Sequence, residues 1–158
     1  MNASLLKIIF FCFFFLTGCG FKIIDNTQFD NYYLNNIETA GNSKINFFLK
    51  SELSNSFNNS EKGEQISIII QSKKDKKIRE RNISNQITKY EIILTANVEF
   101  KIIDRNITEN FVVTNSGSYD LNNNQAKTIS NQDDLEKFLA EKLSKQILQE
   151  IRFIIDDI

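Results

Sequence analysis

The sequence predicts an α+β domain: a two-layer sandwich with two helices packed on one face of a roughly four-stranded mixed sheet. Three observations predict it. Strict two-residue alternation from Tyr90 to Ile102 marks a long strand with one buried side. Two apolar stripes at helical spacing, one after Asn42–Ser43 and one from Leu135 to Ile154, mark amphipathic helices. The order is strand, helix, three strands, helix, and each element has one apolar face. Two layers are the simplest way to bury all of them.

The first 18 residues stand apart from that domain. Lys7 supplies one positive charge, and Ile8 to Leu16 is an apolar run of nine residues. A bilayer core needs roughly 20 helical residues, so this run has signal-peptide length instead. Leu16-Thr17-Gly18-Cys19 resembles the lipobox of bacterial lipoproteins, in which cleavage precedes the cysteine and its thiol receives a diacylglycerol. Residues 1–18 are therefore expected to be a removed signal and Cys19 the lipidation site. One acyl chain binds a membrane marginally, whereas two or more anchor stably. Gly20, in place of an aspartate, resembles an outer-membrane sorting address. Residues 19–31 are expected to be a tether, and 32–158 one folded domain.

Within the domain, Tyr32 to Ile37 is expected to be a short first strand. Asn42 or Ser43 can cap a helix, because a short side-chain oxygen accepts an unpaired first-turn N–H. Ile45, Phe48, Leu49, Leu53 and Phe57 then face one way, with Asn46, Lys50 and Ser54 opposite. Asn58 to Glu64 is a polar loop. Ile66, Ile68 and Ile70 alternate on the next strand, followed by the charged segment Lys73 to Arg81 and an Asn-rich linker around residues 82–86. In the strand from Tyr90 to Ile102, Ile92, Leu94, Ala96, Val98 and Phe100 share one face. Asp104-Arg105-Asn106 is turn chemistry. Ile107 to Tyr119 returns as a hairpin partner, with Phe111 and Val113 as core candidates. Leu121 to Ile129 reads as a loop and Ser130 as the cap of the last helix. Its apolar stripe is Leu135, Phe138, Leu139, Leu143, Ile147, Ile151 and Ile154.

Composition narrows the chemistry. The chain has no His, and Cys12 leaves with the signal while Cys19 is modified, so no thiol or imidazole remains for the usual nucleophile–base pairs or a zinc site. Loss of Lys7 makes the mature protein one charge more negative than the −1 of the whole chain, which argues against nucleic acid as a partner. The acidic pairs Asp133–Asp134 and Asp156–Asp157 are placed at helix ends, where dipole and solvation account for them. No catalytic residue, metal or cofactor is expected. The segment from Lys73 to Arg81 holds six basic residues of nine. Two readings stand: a solvated hairpin end whose lysines blunt a strand edge, or an anion site.

Three features together carry a family resemblance. They are the start Gly18-Cys19-Gly20-Phe21, the strand with Tyr90 and Leu94-Thr95-Ala96 whose partner ends at Ser118-Tyr119-Asp120, and the Asn/Gln-rich stretch through Ala126-Lys127 and Gln132-Asp133-Asp134 into the final helix. This resembles the LPS-assembly lipoprotein family LptE, in its alphaproteobacterial form, most closely from Tyr90 to Ile151. Residues 58–89 depart from the family pattern. The resemblance implies a non-enzymatic outer-membrane lipoprotein that plugs an LptD-like β-barrel, helps it assemble and assists delivery of lipopolysaccharide to the cell surface. It also points the anion reading at lipid A phosphates, with Arg79, Arg81 and Lys127 as candidate lipopolysaccharide-binding residues. The competing reading is a lipoprotein subunit of a different envelope complex, such as a lipid transporter.

Overall fold

A computed structural model describes residues 29–58 and 63–158. Cys19, the signal and most of the tether lie outside the described residues. The elements are β1 (Phe29–Gly41), α1 (Ser43–Ser56), β2 (Phe57–Asn58), β3 (Glu64–Arg81), β4 (Ile87–Ile102), β5 (Ile107–Asp120) and α2 (Gln125–Asp156). The sheet runs β2-β1-β3-β4-β5, with four long strands and the two-residue β2 at one edge. β1 pairs with β3 in parallel, so the chain must cross over between them, and α1 supplies the crossover. β3, β4 and β5 form an antiparallel meander. The α+β sandwich read from the sequence is the fold.

Local chemistry sets the boundaries. Gly41 ends β1 at φ +101°, and a Cβ there would sit 1.9 Å from the Ser72 carbonyl oxygen, so only glycine fits. Asn42 then caps α1, its side chain accepting from the Ile45 N–H at 3.1 Å. The β3–β4 turn closes on Asn82, whose side-chain oxygen accepts from Ser84 and Gln86 N–H groups, with Asn85 at φ +61°. Asn106 at φ +55° turns β4 into β5, and Asp104 accepts from the Gln65 N–H at 2.7 Å.

Alternation builds the core. Ile66, Ile68 and Ile70 of β3, with Leu94, Ala96, Phe100 and Ile102 of β4, are fully buried beneath the helices. Ile45, Leu49 and Leu53 of α1 and Ala140, Leu143, Ile147 and Ile151 of α2 meet them. At 32 residues α2 spans roughly 48 Å, close to the length of the 16-residue β4 it lies across. Among the described residues, no helix lies over the opposite face of the sheet.

Several expectations change. β1 is longer than Tyr32–Ile37, beginning at Phe29, within the stretch expected as tether. Phe57 lies past the helix end, in β2, and stacks on Phe29 with ring centroids 4.7 Å apart. Asn46 is buried, not on the exposed side of α1. The charged segment Lys73–Arg81 is the end of the β3–β4 hairpin, as one reading had it, but it is regular strand, continuing β3 and pairing with β4 as far as Arg81–Ile87. The polar sequence is held as strand from one side only: β4 offers a full partner edge, while the pairing of β1 with β3 ends at Ser72. The last helix starts at Gln125, capped by Asn124 instead of Ser130, so Lys127 belongs to its first turn and not to a loop. Asp133 and Asp134 thus lie inside α2, away from its end, and Phe138 is 60% exposed.

Candidate basic end of the sheet

β3 finishes, β4 begins, β5 finishes and α2 begins at one end of the molecule. The pairings Arg81–Ile87 and Lys89–Asp120 and the Leu121 N–H to Thr88 carbonyl bond of 2.8 Å hold that end together. Arg79 and Arg81 of β3 and Lys127 of α2 are thereby at the same end, as the chain order requires.

Strand alternation divides the basic segment in two. Lys74 and Lys76 turn toward α2, on the face that carries Ile66, Ile68 and Ile70. Lys74 Nζ lies 3.0 Å from Glu136 Oε1, and Lys44 Nζ of α1 lies 3.3 Å from Glu136 Oε2 and 2.6 Å from Asp133 Oδ1. Gln132 Nε2 donates to Glu136 Oε1 at 2.9 Å, while its Oε1 accepts from Lys76 Nζ at 3.0 Å and Tyr119 Oη at 2.7 Å. Lys76 Nζ also sits 4.1 Å from the Tyr90 ring centroid, a cation–π contact. Burial by itself would raise the Glu136 carboxyl. Hydrogen bonds from Lys74 and Gln132, with the charges of Lys74 and Lys44, outweigh it and hold the group below the ordinary carboxylate value. The hydrogen bond to Asp133 leads the causes that raise Lys44. These two lysines of β3 are structural.

The others face solvent. Lys73 pairs with Asp75 at 2.9 Å and Arg79 with Glu91 at 3.3 Å. Arg81 donates to the Asn85 carbonyl at 2.8 Å, a neutral acceptor that leaves its charge uncompensated. Lys77 and Lys127 are exposed with no ion pair among the described residues. Acidic groups share this end: Lys89 bridges Glu80 at 3.5 Å and Asp120 at 3.3 Å. The hydrogen bond to Asp120 is the main cause raising the Lys89 ammonium. The unneutralised cations are therefore Arg81, Lys127 and Lys77, with Arg79 shared with Glu91. Such a group suits a multiply charged anion, because charge-assisted hydrogen bonds are stronger than neutral ones.

Sequence reasoning missed Lys77 as an unpaired cation and the role of Lys74 and Lys76 toward α2, where Glu136 is the buried partner. The signals were present. Lys74 and Lys76 share parity with the buried isoleucines of β3, and Glu136 falls at helical spacing before Ala140, Leu143 and Ile147. Among the described residues no group of His, Cys, Asp and Glu could hold a metal, and no helix is long and apolar enough to cross a membrane.

Comparison with known proteins identifies the fold's relatives. No curated protein matches the chain in sequence. The fold is similar to rare lipoprotein B from Shewanella oneidensis (TM-score 0.59, 11% identity, covering 78% of this chain and 98% of that one). It is also similar to a minor lipoprotein from Acinetobacter baumannii (TM-score 0.54, 16% identity, 77% and 91%) and to lipoprotein B from Nitrosomonas europaea (TM-score 0.55, 15% identity, 80% and 85%). The model of the LptE lipopolysaccharide-assembly family matches residues 24–151, which takes in every strand and most of α2. This chain belongs to the LptE family, and its part in lipopolysaccharide assembly is not that of an enzyme.

Proposed function

We propose that this protein is an outer-membrane lipoprotein, anchored through Cys19 on the periplasmic side, that plugs an LptD-like β-barrel, helps it assemble and assists delivery of lipopolysaccharide to the cell surface. The family match across residues 24–151 carries this reading. Two physical features support it. A plug must present a folded, mostly polar surface to a pore, and this domain buries its apolar residues on one side of the sheet only. The open side carries Gln71, Thr95, Asn97 and Thr114. The cationic end formed by Arg79, Arg81 and Lys127 offers lipid A phosphates charged donors, so lipopolysaccharide contacts are assigned there.

Co-purification of the tagged full-length lipoprotein from its own membranes tests the partnership. A large outer-membrane barrel should accompany it. Depletion should lower the amount of assembled barrel and let large hydrophobic compounds through the outer membrane. Recovery of a different envelope complex without a barrel, and an unaltered membrane on depletion, would favour a subunit of another machine such as a lipid transporter.

A further inference from the structure

Ile83 stands at the tip of the β3–β4 turn and is 107% exposed. The turn is otherwise polar, and its hydrogen bonds run through the Asn82 side chain, so an apolar residue there contributes nothing to the fold. Ile78 of β3, Leu121 just past β5 and Ile129 in the second turn of α2 are also exposed, and all belong to this end. Single exposed apolar residues are ordinary, whereas four at one end make a surface. Among them stand Lys77, Arg81 and Lys127, without an acidic partner among the described residues. Glu91 is paired with Arg79, and Glu80 and Asp120 share Lys89, so the end keeps an excess of positive charge. Lys127 lies in the first turn of α2, which holds no acidic residue, so the helix dipole adds to its charge instead of offsetting it.

Aliphatic groups set among cations match an anionic amphiphile, and the shape of this end selects its form. A single bound molecule needs a concave, fitted site. Here the apolar groups sit on a turn tip, a strand, a loop and a helix, and the hollows lined by Phe47 and Lys50 and by Asn97 and Val112 lie elsewhere. A fluid lipid surface needs no groove: aliphatic side chains enter the acyl boundary while Lys and Arg stay at the level of the phosphates. We propose that this end is a second membrane contact, seating Ile83 in the acyl boundary of a bilayer that contains anionic phospholipid, with Lys77, Arg81 and Lys127 at its phosphates. β1 runs parallel to β3, so the chain from Cys19 enters the domain at the opposite end, and β3 alone spans roughly 60 Å. The domain therefore lies along the membrane, held by the anchor at one end and by Ile83 at the other. The inference rests on the anchor at Cys19, and not on the barrel or on lipopolysaccharide binding.

The chain contains no Trp, so Ile83→Trp in the mature lipidated protein supplies a single fluorescent reporter. In vesicles of mixed zwitterionic and anionic phospholipid its emission should shift to shorter wavelength and be quenched by lipid brominated along the acyl chain. Phe138→Trp, exposed on α2 away from the tip, should show neither change. Each cation near an anionic surface is worth about fivefold in binding, so adding Lys77→Gln/Arg81→Gln/Lys127→Gln should weaken insertion at position 83 about a hundredfold and end the quenching. Circular dichroism checks that each variant is folded. A reporter at position 83 that stays in water while the protein floats with the vesicles overturns the inference and leaves the anchor standing. Equal quenching at positions 83 and 138, or in vesicles without anionic lipid, overturns it too. Quenching only when lipopolysaccharide is mixed into the vesicles also overturns it, and reserves this end for that ligand. Protein that carries no acyl chain by mass and fails to float overturns the anchor reading, and the inference with it.

Discussion

Lys74 Nζ sits 3.0 Å from Glu136 Oε1, joining the polar half of β3 to α2 across a carboxylate whose side chain is 1% exposed. With Lys44 on the other oxygen, one carboxylate ties α1, β3 and α2 together. A buried pair need not add much net stability, but removing one partner strands the other in a poor solvent. Glu136→Ala should therefore destabilise the domain by about 2–4 kcal/mol in urea unfolding, less than a fully enclosed pair because Lys44 can reach water. Lys74→Met should cost less, since Lys44 and Gln132 still hold the carboxylate.

The same site sets an acid dependence. The folded state holds Glu136 more acidic than the unfolded chain does, so its ionised form favours folding. That contribution is complete above the ordinary value of 4.5 and disappears as pH falls through the lower folded value. Glu136→Gln should be less stable than wild type at pH 7. The gap should close as the solution is acidified below about pH 4.5. A gap that stays constant across that range would mean the carboxylate's charge contributes nothing to stability.

Much of this fold could be read from periodicity, and the failures share a cause. Tyr90 to Ile102 was legible because its partners lie on both sides and its burial follows strict alternation. The segment Lys73–Arg81 was not, because its pairing with β4 is backbone chemistry that side-chain composition hides. Lys74 and Lys76 reach the helix layer because α2 carries Gln132 and Glu136 over β3, and that helix begins at Gln125, about a turn and a half before Ser130. That early start depends on Asn124, one of several asparagines equally able to cap. At the candidate site, Arg79, Arg81 and Lys127 could be brought to one end by chain order alone. The pairing of Arg79 with Glu91 could not, since it depends on the cross-strand register.

Neighbouring positions on β4 separate the two faces. Leu94 is fully buried under the helices, whereas Thr95 faces the open side and its hydroxyl meets that of Thr114 at 3.2 Å. Leu94→Asp should cost about 4 kcal/mol or more, since a buried unpaired charge has no compensation. Thr95→Asp should cost about 1 kcal/mol or less. Comparable losses in denaturant unfolding of the two variants would contradict the one-sided core.

The anchor is read from Leu16-Thr17-Gly18-Cys19. Intact mass of the mature protein should place its N-terminus at Cys19 with added acyl chains. Cys19→Ala should leave the protein unprocessed or release it from membranes, because the domain, with no crossing helix among its described residues, then loses the lipid attachment read at Cys19. An unmodified N-terminus at another residue would remove the basis for membrane attachment through this cysteine.

Lipopolysaccharide contact at the basic end makes a prediction that charge counting alone does not. Arg79, Arg81 and Lys127 lie 48 residues or fewer apart in sequence yet meet at one end through β3 and the first turn of α2. If lipid A phosphates engage that end, Arg79→Glu/Arg81→Glu/Lys127→Glu should weaken binding of the purified domain to lipopolysaccharide by about tenfold or more, since several charge-assisted bonds turn repulsive. A control with the same net charge change, Lys137→Glu/Lys142→Glu/Lys145→Glu along the exposed side of α2, should bind nearly as wild type. Circular dichroism confirms folding of both variants, and none of the six residues is buried. Binding should also weaken with added salt, since exposed charges are screened over about 10 Å at 0.1 M. Equal loss in both triple variants would reduce the effect to overall charge. Binding that survives the first triple change in a folded protein would leave Arg79, Arg81 and Lys127 as solvated surface residues.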